Sequence, residues 1–160
     1  MSSRESSLHV VLVHPEIPGN TGNVGRTCLA AGAELHLVEP LGFSLDDNAV
    51  RRAGLDYWPS VDPTVWPDWS ELESRLPELG EPFFFSVRGE TGYWEPRYPR
   101  NAVLIFGGES DGLEPKIRSR YHDRLLRIPV RDDAVRSLNL SCAVALALYE
   151  VRRQLTDSGP

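Results

Sequence analysis

The sequence predicts an α/β fold: a mainly parallel sheet flanked by helices. Short apolar runs alternate with helix-forming segments along the whole chain, as expected when each strand is followed by a crossover helix. Runs such as Ala102 to Phe106 are continuously apolar, which suits strands covered on both faces, the usual setting of a parallel sheet. Several of the runs also end in glycine-bearing loops, at Pro15–Gly22, Arg88–Gly92 and Gly107–Gly112. Ligands of open parallel sheets bind beyond the carboxyl ends of the strands, where such loops lie.

The elements follow in order. Leu8 to Val13 reads as the first strand and Glu34 to Val38 as the second. Between them come an irregular loop, Pro15–Gly22, and a helix from about Asn23 to Ala31 that Gly32 stops. Arg26 falls one turn into that helix, where a cation opposes the dipole, a placement that favours function over stability. Ser44, Asp46 and Asp47 open a further helix to Ala53, with Gly54 as its stop. Arg51 and Arg52 at its end have two readings: they complement the helix dipole, or they meet RNA phosphates. Trp58 to Trp69 is proline-punctuated and reads as a loop, its tryptophans either capping the core or stacking on bases. Ser70-Glu-Leu-Glu73 is a capping box for a short helix expected to end before Pro77. Strands at Pro82–Val87, Ala102–Phe106 and Leu125–Ile128 and a helix at Glu114–Arg120 continue the alternation. A C-terminal helix from about Asn139 to Arg153 closes the chain, with Ser137 as its expected N-cap.

The 160 residues are most simply one domain, with 41% hydrophobic and 25% charged residues. Seventeen basic against 23 acidic residues give a net charge of −6, and Lys116 is the single lysine among the bases. That balance argues against broad, nonspecific nucleic-acid binding and leaves room for a local arginine patch. Residues 1–7 lack the apolar centre of a signal peptide, and no apolar run approaches the roughly 18 residues of a membrane helix, so a cytoplasmic protein is expected. Cys28 and Cys142 are expected to be buried free thiols. His9, His14, His36 and His122 show no metal-ligand spacing, and no metal is expected. The first loop contains neither G-x-G-x-x-G nor G-x-x-x-x-G-K-[ST], which removes the usual NAD and ATP cradles.

Three segments, Asn20-Thr-Gly-Asn-Val-Gly-Arg26, Phe106-Gly-Gly-Glu-Ser-Asp-Gly-Leu113 and Ile128-Pro129 with Ser137-Leu-Asn-Leu-Ser-Cys-Ala143, resemble the three motifs of the SPOUT superfamily of RNA methyltransferases. Within it, His14 to Asn23, Glu39-Pro-Leu-Gly-Phe43 and Arg51 to Tyr57 resemble the tRNA (cytidine(34)-2′-O)-methyltransferase family. The resemblance covers about residues 8 to 155. It implies a C-terminal deep trefoil knot, a homodimer paired through the C-terminal helix, and S-adenosylmethionine as cofactor without metal. It places cofactor contacts at Phe85, Gly107, Ile128 and Ser137, with Leu138 and Asn139 adjoining, and an acceptor-site arginine at Arg26. Asn20, Glu109, Tyr149, Arg51 and Arg52 become candidate contacts to a tRNA anticodon loop. Glu109 has a second reading, as a hydrogen-bonding partner of its own loop, and Tyr149 as a packing residue. The segment Val130–Arg136 is about one residue longer than the family pattern, which leaves Arg131 and Arg136 unmatched.

Loops rich in backbone amides and carbonyls, with few titratable side chains, suit an adenosine better than hydrolysis at a metal or nucleophile. Guanidinium stays protonated below a pKa of about 12, so Arg26 is expected to orient the 2′-hydroxyl or its phosphate rather than act as a base. The expected activity is cofactor-dependent 2′-O-methylation at the wobble position of tRNA. The same chemistry on another RNA such as ribosomal RNA, or a noncatalytic RNA-binding or assembly role on the same fold, are the alternatives.

Overall fold

The computed structural model describes residues 7–157, so the expectation for the first six residues lies outside the described part. Seven parallel strands form one sheet: β1 (Leu8–Val13), β2 (Ala33–Val38), β3 (Thr64–Trp66), β4 (Glu81–Phe85), β5 (Thr91–Gly92), β6 (Ala102–Phe106) and β7 (Leu125–Arg127), in the order β3-β2-β1-β6-β4-β7-β5. Val10 pairs with Leu35 on one side and Leu104 on the other, which puts the most apolar runs at the centre. The chain builds outward from β1 to β3 and then crosses to the other half, so the order reverses between β1 and β6. A crevice is expected beyond the carboxyl ends at that point.

Alternation along the central strands divides the core into two layers. Leu8, Val10 and Leu12 pack with Leu104 and Phe106 against helices α1 (Pro18–Ala31) and α6 (Leu140–Asp157). Val11, Val13, Val103 and Ile105 pack on the other face against Leu72 and Leu76 of α4 (Trp69–Leu79) and Ile117 of α5 (Pro115–Arg120). The remaining helices are α2 (Asn48–Gly54) and α3 (Trp58–Val61), joined by a 3-10 turn at Leu55–Tyr57.

Local structure differs from the sequence expectation in several places. Helix α1 begins at Pro18 rather than Asn23, because proline at the first helical position has its φ preset and its missing N–H costs nothing there. Arg26 therefore sits in the third turn, away from the positive end of the dipole. The Trp58–Trp69 stretch contains α3 and β3, and β3 pairs with β2 through His36 and Thr64, Leu37 and Val65, and Val38 and Trp66. Proline is tolerated between those short elements, where it interrupts no ladder. Helix α4 continues through Pro77 to Leu79, and Asp68, not Ser70, accepts the capping bond from the Glu71 amide at 2.9 Å. In α6 the cap is Asn139, whose Oδ1 accepts from the Ser141 amide at 2.9 Å, while Ser137 lies outside the helix. Cys28 is buried as expected, its thiol pushed up to about 12 by desolvation, but Cys142 is exposed.

Candidate functional site

A cavity of about 560 Å³ opens at the carboxyl ends of β4, β6 and β7, within the 300–1,000 Å³ typical of small-molecule sites. It collects Phe85, Gly107, Ile128, Ser137, Leu138 and Asn139, which the sequence leaves spread over 55 positions, together with Asn20 and Glu109. Phe85 and Phe106 stack at 4.5 Å and form an apolar floor. The Ser137–Leu140 segment and Ala143 of α6 also line the cavity. Arg26, Arg51, Arg52 and Tyr149 do not line the cavity; all four are exposed elsewhere.

The β6 loop is a closed turn. The Gly112 amide donates to the Gly108 carbonyl at 3.0 Å, and Gly112 has φ +67°, a left-handed conformation that favours glycine. A Cβ on Gly107 would stand 2.0 Å from the Gly112 carbonyl carbon. The glycine is therefore required by the loop's own backbone.

Glu109 leaves its loop and reaches across to the start of α1. Its carboxylate accepts from the Glu16 amide at 2.7 Å, the Ile17 amide at 3.1 Å and the Asn20 side chain at 3.4 Å. Ile17 offers α1 no side-chain cap, so Glu109 caps that helix from 92 residues away and puts a negative charge at the positive end of its dipole. Glu16 returns the contact, accepting from the Ser110 hydroxyl at 2.5 Å. His14 has φ +56° at the end of β1, and its ring bridges the Val38 carbonyl at 3.3 Å and Glu114 at 2.6 Å. A non-glycine residue in that conformation costs on the order of 1 kcal/mol and persists because both ring nitrogens are held. The expectation that Glu109 bonds within its own loop is corrected: its partners lie on the first loop, and together the two carboxylates clasp the loops after β1 and β6.

Parallel pairing of β1 with β2 also brings His9 and His36 together, a neighbourhood that spacing along the chain did not reveal. The donor atoms of His9, Glu34 and His36 lie within 4.8 Å of one another, the separation of a possible metal site. Two hydrogen bonds link the imidazoles to Trp66. The Trp66 indole donates to His36 Nδ1 at 3.0 Å, which leaves the proton on His36 Nε2 to donate to His9 Nδ1 at 2.9 Å. Nδ1 of both imidazoles is thus engaged, while the exposed Glu34 carboxylate stands 3.5 Å from His9 Nδ1. Burial lowers His9, with Glu34 opposing, and pushes His36 down to about 4, with His9 adding to the effect.

Sequence reasoning missed Ser86, Val87, Arg88 and Arg118 as cavity residues. The glycines of Arg88–Gly92 signalled a strand-end loop but not which side chains turn inward, and Arg118 arrives from α5, which carried no motif.

The fold and cavity define a class: an α/β protein whose nucleoside-sized site is built from strand-end loops and the start of its last helix. The SpoU rRNA Methylase family profile matches residues 7–149, and the chain belongs to that family and, within it, to the tRNA (cytidine(34)-2′-O)-methyltransferase group. A protein of that name from Burkholderia cenocepacia is 43% identical over 153 residues, covering 94% of this chain and 97% of its own; one from Acidovorax sp. is 43% identical over 148 residues, with 91% of each covered. A solved structure giving structural insights into the 2-OH methylation of C/U34 on tRNA superposes with a TM-score of 0.90 at 46% identity, covering 96% of this chain and 99% of that one. The SpoU methyltransferase AviRb from Streptomyces viridochromogenes, in complex with AdoMet, gives 0.80 at 27% identity, over 99% of this chain and 61% of that one.

Proposed function

We propose that this protein uses S-adenosylmethionine to methylate the ribose 2′-hydroxyl of the wobble nucleotide, position 34 of tRNA, where the base is cytidine or a modified uridine. The observation that carries the reading is the single cavity that gathers Phe85, Gly107, Ile128, Ser137, Leu138 and Asn139. Its donor set fits the cofactor: an apolar Phe85–Phe106 floor for a purine ring, backbone amides and carbonyls for its edge, and Ser137 and Asn139 for ribose hydroxyls. When bound, the cofactor supplies an electrophilic methyl group on a sulfonium and departs as a neutral thioether. The protein's part is positioning, with the acceptor oxygen held in line and water excluded. Arg26 orients the 2′-hydroxyl or the neighbouring phosphate through its N–H donors and stabilises negative charge as the proton leaves. The reading includes no metal.

The substrate is an anticodon loop, with Asn20, Arg51, Arg52 and Tyr149 as candidate contacts. Glu109 is reassigned from RNA contact to loop clasp, since its carboxylate is already occupied by three donors. The chain acts as a single domain, with its core at about residues 8 to 155, and as a homodimer in the cytoplasm. Support for pairing comes from α6, where Cys142, Leu146 and Tyr149 recur at helical spacing along one exposed stripe although the opposite face is already in the core. Among the described residues no helix is long and apolar enough to cross a membrane. The deep trefoil knot belongs to the same proposal. It is supported by β7 lying between β4 and β5, and by the link joining those strands sitting so close on β7 that a Cβ at Gly89 would meet the Leu126 carbonyl carbon at 2.8 Å.

The test is methyl transfer from labelled S-adenosylmethionine to tRNA that lacks the modification, followed by nuclease mapping. Label in the ribose of nucleotide 34 is expected. Label confined to ribosomal RNA, or no transfer to any RNA, overturns the reading.

A further inference from the structure

Arg26 and Tyr57 are 31 positions apart, yet the Arg26 guanidinium carbon lies 5.6 Å from the centre of the Tyr57 ring, within cation–π range. What brings them together is the residue beside each. A Cβ on Gly25 would stand 3.0 Å from Trp58 Cζ3 and 3.1 Å from both methyl carbons of Val61, so α3 rests almost directly on the backbone of α1. The Gly25–Trp58 contact then sets the next residues, Arg26 and Tyr57, side by side. Tyr57 has helical backbone angles at the cap of α3, so its ring projects from the turn that is docked.

We propose that Tyr57 is the positioning residue for Arg26, holding the guanidinium in its working orientation through its ring face. The proposal rests on the reading that Arg26 acts at the acceptor ribose. An exposed arginine carries about 2 kcal/mol of rotamer freedom, and among the described residues no carboxylate pairs with Arg26 to restrain it. A carboxylate would restrain the side chain but would occupy its forked donors and offset its charge. An aromatic face restrains it while leaving all five N–H groups free for an RNA hydroxyl or phosphate. Tyr57 is 51% exposed and Arg26 is exposed, so the pair lies at the surface.

Two measurements test this. In the chain without RNA, the NMR signal of the Arg26 Nε–H is expected to be displaced by the ring current of Tyr57, to stay displaced in Tyr57→Phe, and to return to the ordinary arginine position in Tyr57→Leu. An unchanged signal in Tyr57→Leu overturns the inference whatever the activity does. In methyl transfer to tRNA, Tyr57→Leu is expected to lower kcat roughly fivefold with the KM for S-adenosylmethionine unchanged, and Tyr57→Phe to restore it. Combined with Arg26→Lys, the loss should fall short of the product of the single losses, because both act through one contact. Wild-type turnover in Tyr57→Leu, a Phe variant as impaired as Leu, or strictly multiplicative losses each contradict the proposal. All three leave the assignment of the methyltransferase standing if the wild-type protein modifies nucleotide 34.

Discussion

Glu109 and His36 each join β1 or its loop to a distant segment, but they do so under opposite conditions. Glu109 is a half-exposed carboxylate at the carboxyl ends of the strands, holding two backbone amides and one side chain of the α1 entrance. His36 is almost wholly buried on the α4 face of the sheet, one link in an uncharged relay from Trp66 to His9. The clasp spends a charge on the relative placement of two loops that line a cavity. The relay carries no net charge and links β1, β2 and β3 through His9, His36 and the Trp66 indole. The two clusters therefore hold different parts of the fold, one the loops at the cavity and the other the strands behind it.

The largest expected effect lies on the cavity side. Gly107→Val forces atoms into the Gly112 backbone and should destabilise the protein by about 3 kcal/mol or more, abolishing cofactor binding with it. Denaturant unfolding and calorimetry on the same preparation check this, and a stable variant that still binds would break the claim that the loop's own closure requires glycine.

The relay should respond in stability alone. His36→Leu strands the Trp66 indole and leaves His9 without its donor, costing roughly 2 to 3 kcal/mol, with turnover per folded molecule unchanged. Acid should act on the same relay. The folded state lowers His36 from 6.5 to about 4, so the unfolded chain binds the extra proton first. That stabilisation is fully present above about pH 6.5 and is lost as pH falls toward 4, on the order of 1 to 3 kcal/mol. The wild-type melting temperature should therefore drop more steeply over that range than that of His36→Leu. Parallel curves would show that His36 titrates no differently in the folded protein.

A smaller effect is expected from Glu109→Gln, which keeps an acceptor but removes the charge at the α1 dipole, for about 1 kcal/mol. Faster hydrogen exchange at the Glu16 and Ile17 amides, with the β1 amides unchanged, would sharpen the contrast between clasp and relay.

The same contrast marks what was legible in the sequence. Strands such as Ala102–Phe106 announce themselves because burial on both faces demands an uninterrupted apolar run, whereas Gly107 and Asn139 stand out only through their match to the family motifs, and the residue types alone point to Ser137 rather than Asn139 as the cap of α6. Relations across the sheet were not readable. His9 meets His36 only because β1 and β2 pair in one particular register, and Glu109 caps α1 although that helix starts 91 residues earlier, at Pro18. Pro18 and Pro77 depart from expectation in opposite directions: one reads as loop and opens a helix, the other reads as a stop and is carried within α4. Cys142 was expected inside because its neighbours are small and apolar, but those neighbours wrap the whole circumference of α6, and composition cannot say which side faces the core.

The central claim divides the work between the cavity, which holds the cofactor, and Arg26 outside it, which serves the acceptor. Arg26→Ala tests that division most directly, with calorimetry for S-adenosylmethionine and single-turnover methyl transfer to tRNA run on one sample. The account predicts cofactor affinity within about twofold of wild type and turnover reduced by a factor of 10² or more, since removing one preorganised donor typically costs that much. An Arg26→Ala protein with normal turnover, or one that has lost its cofactor affinity, would contradict it.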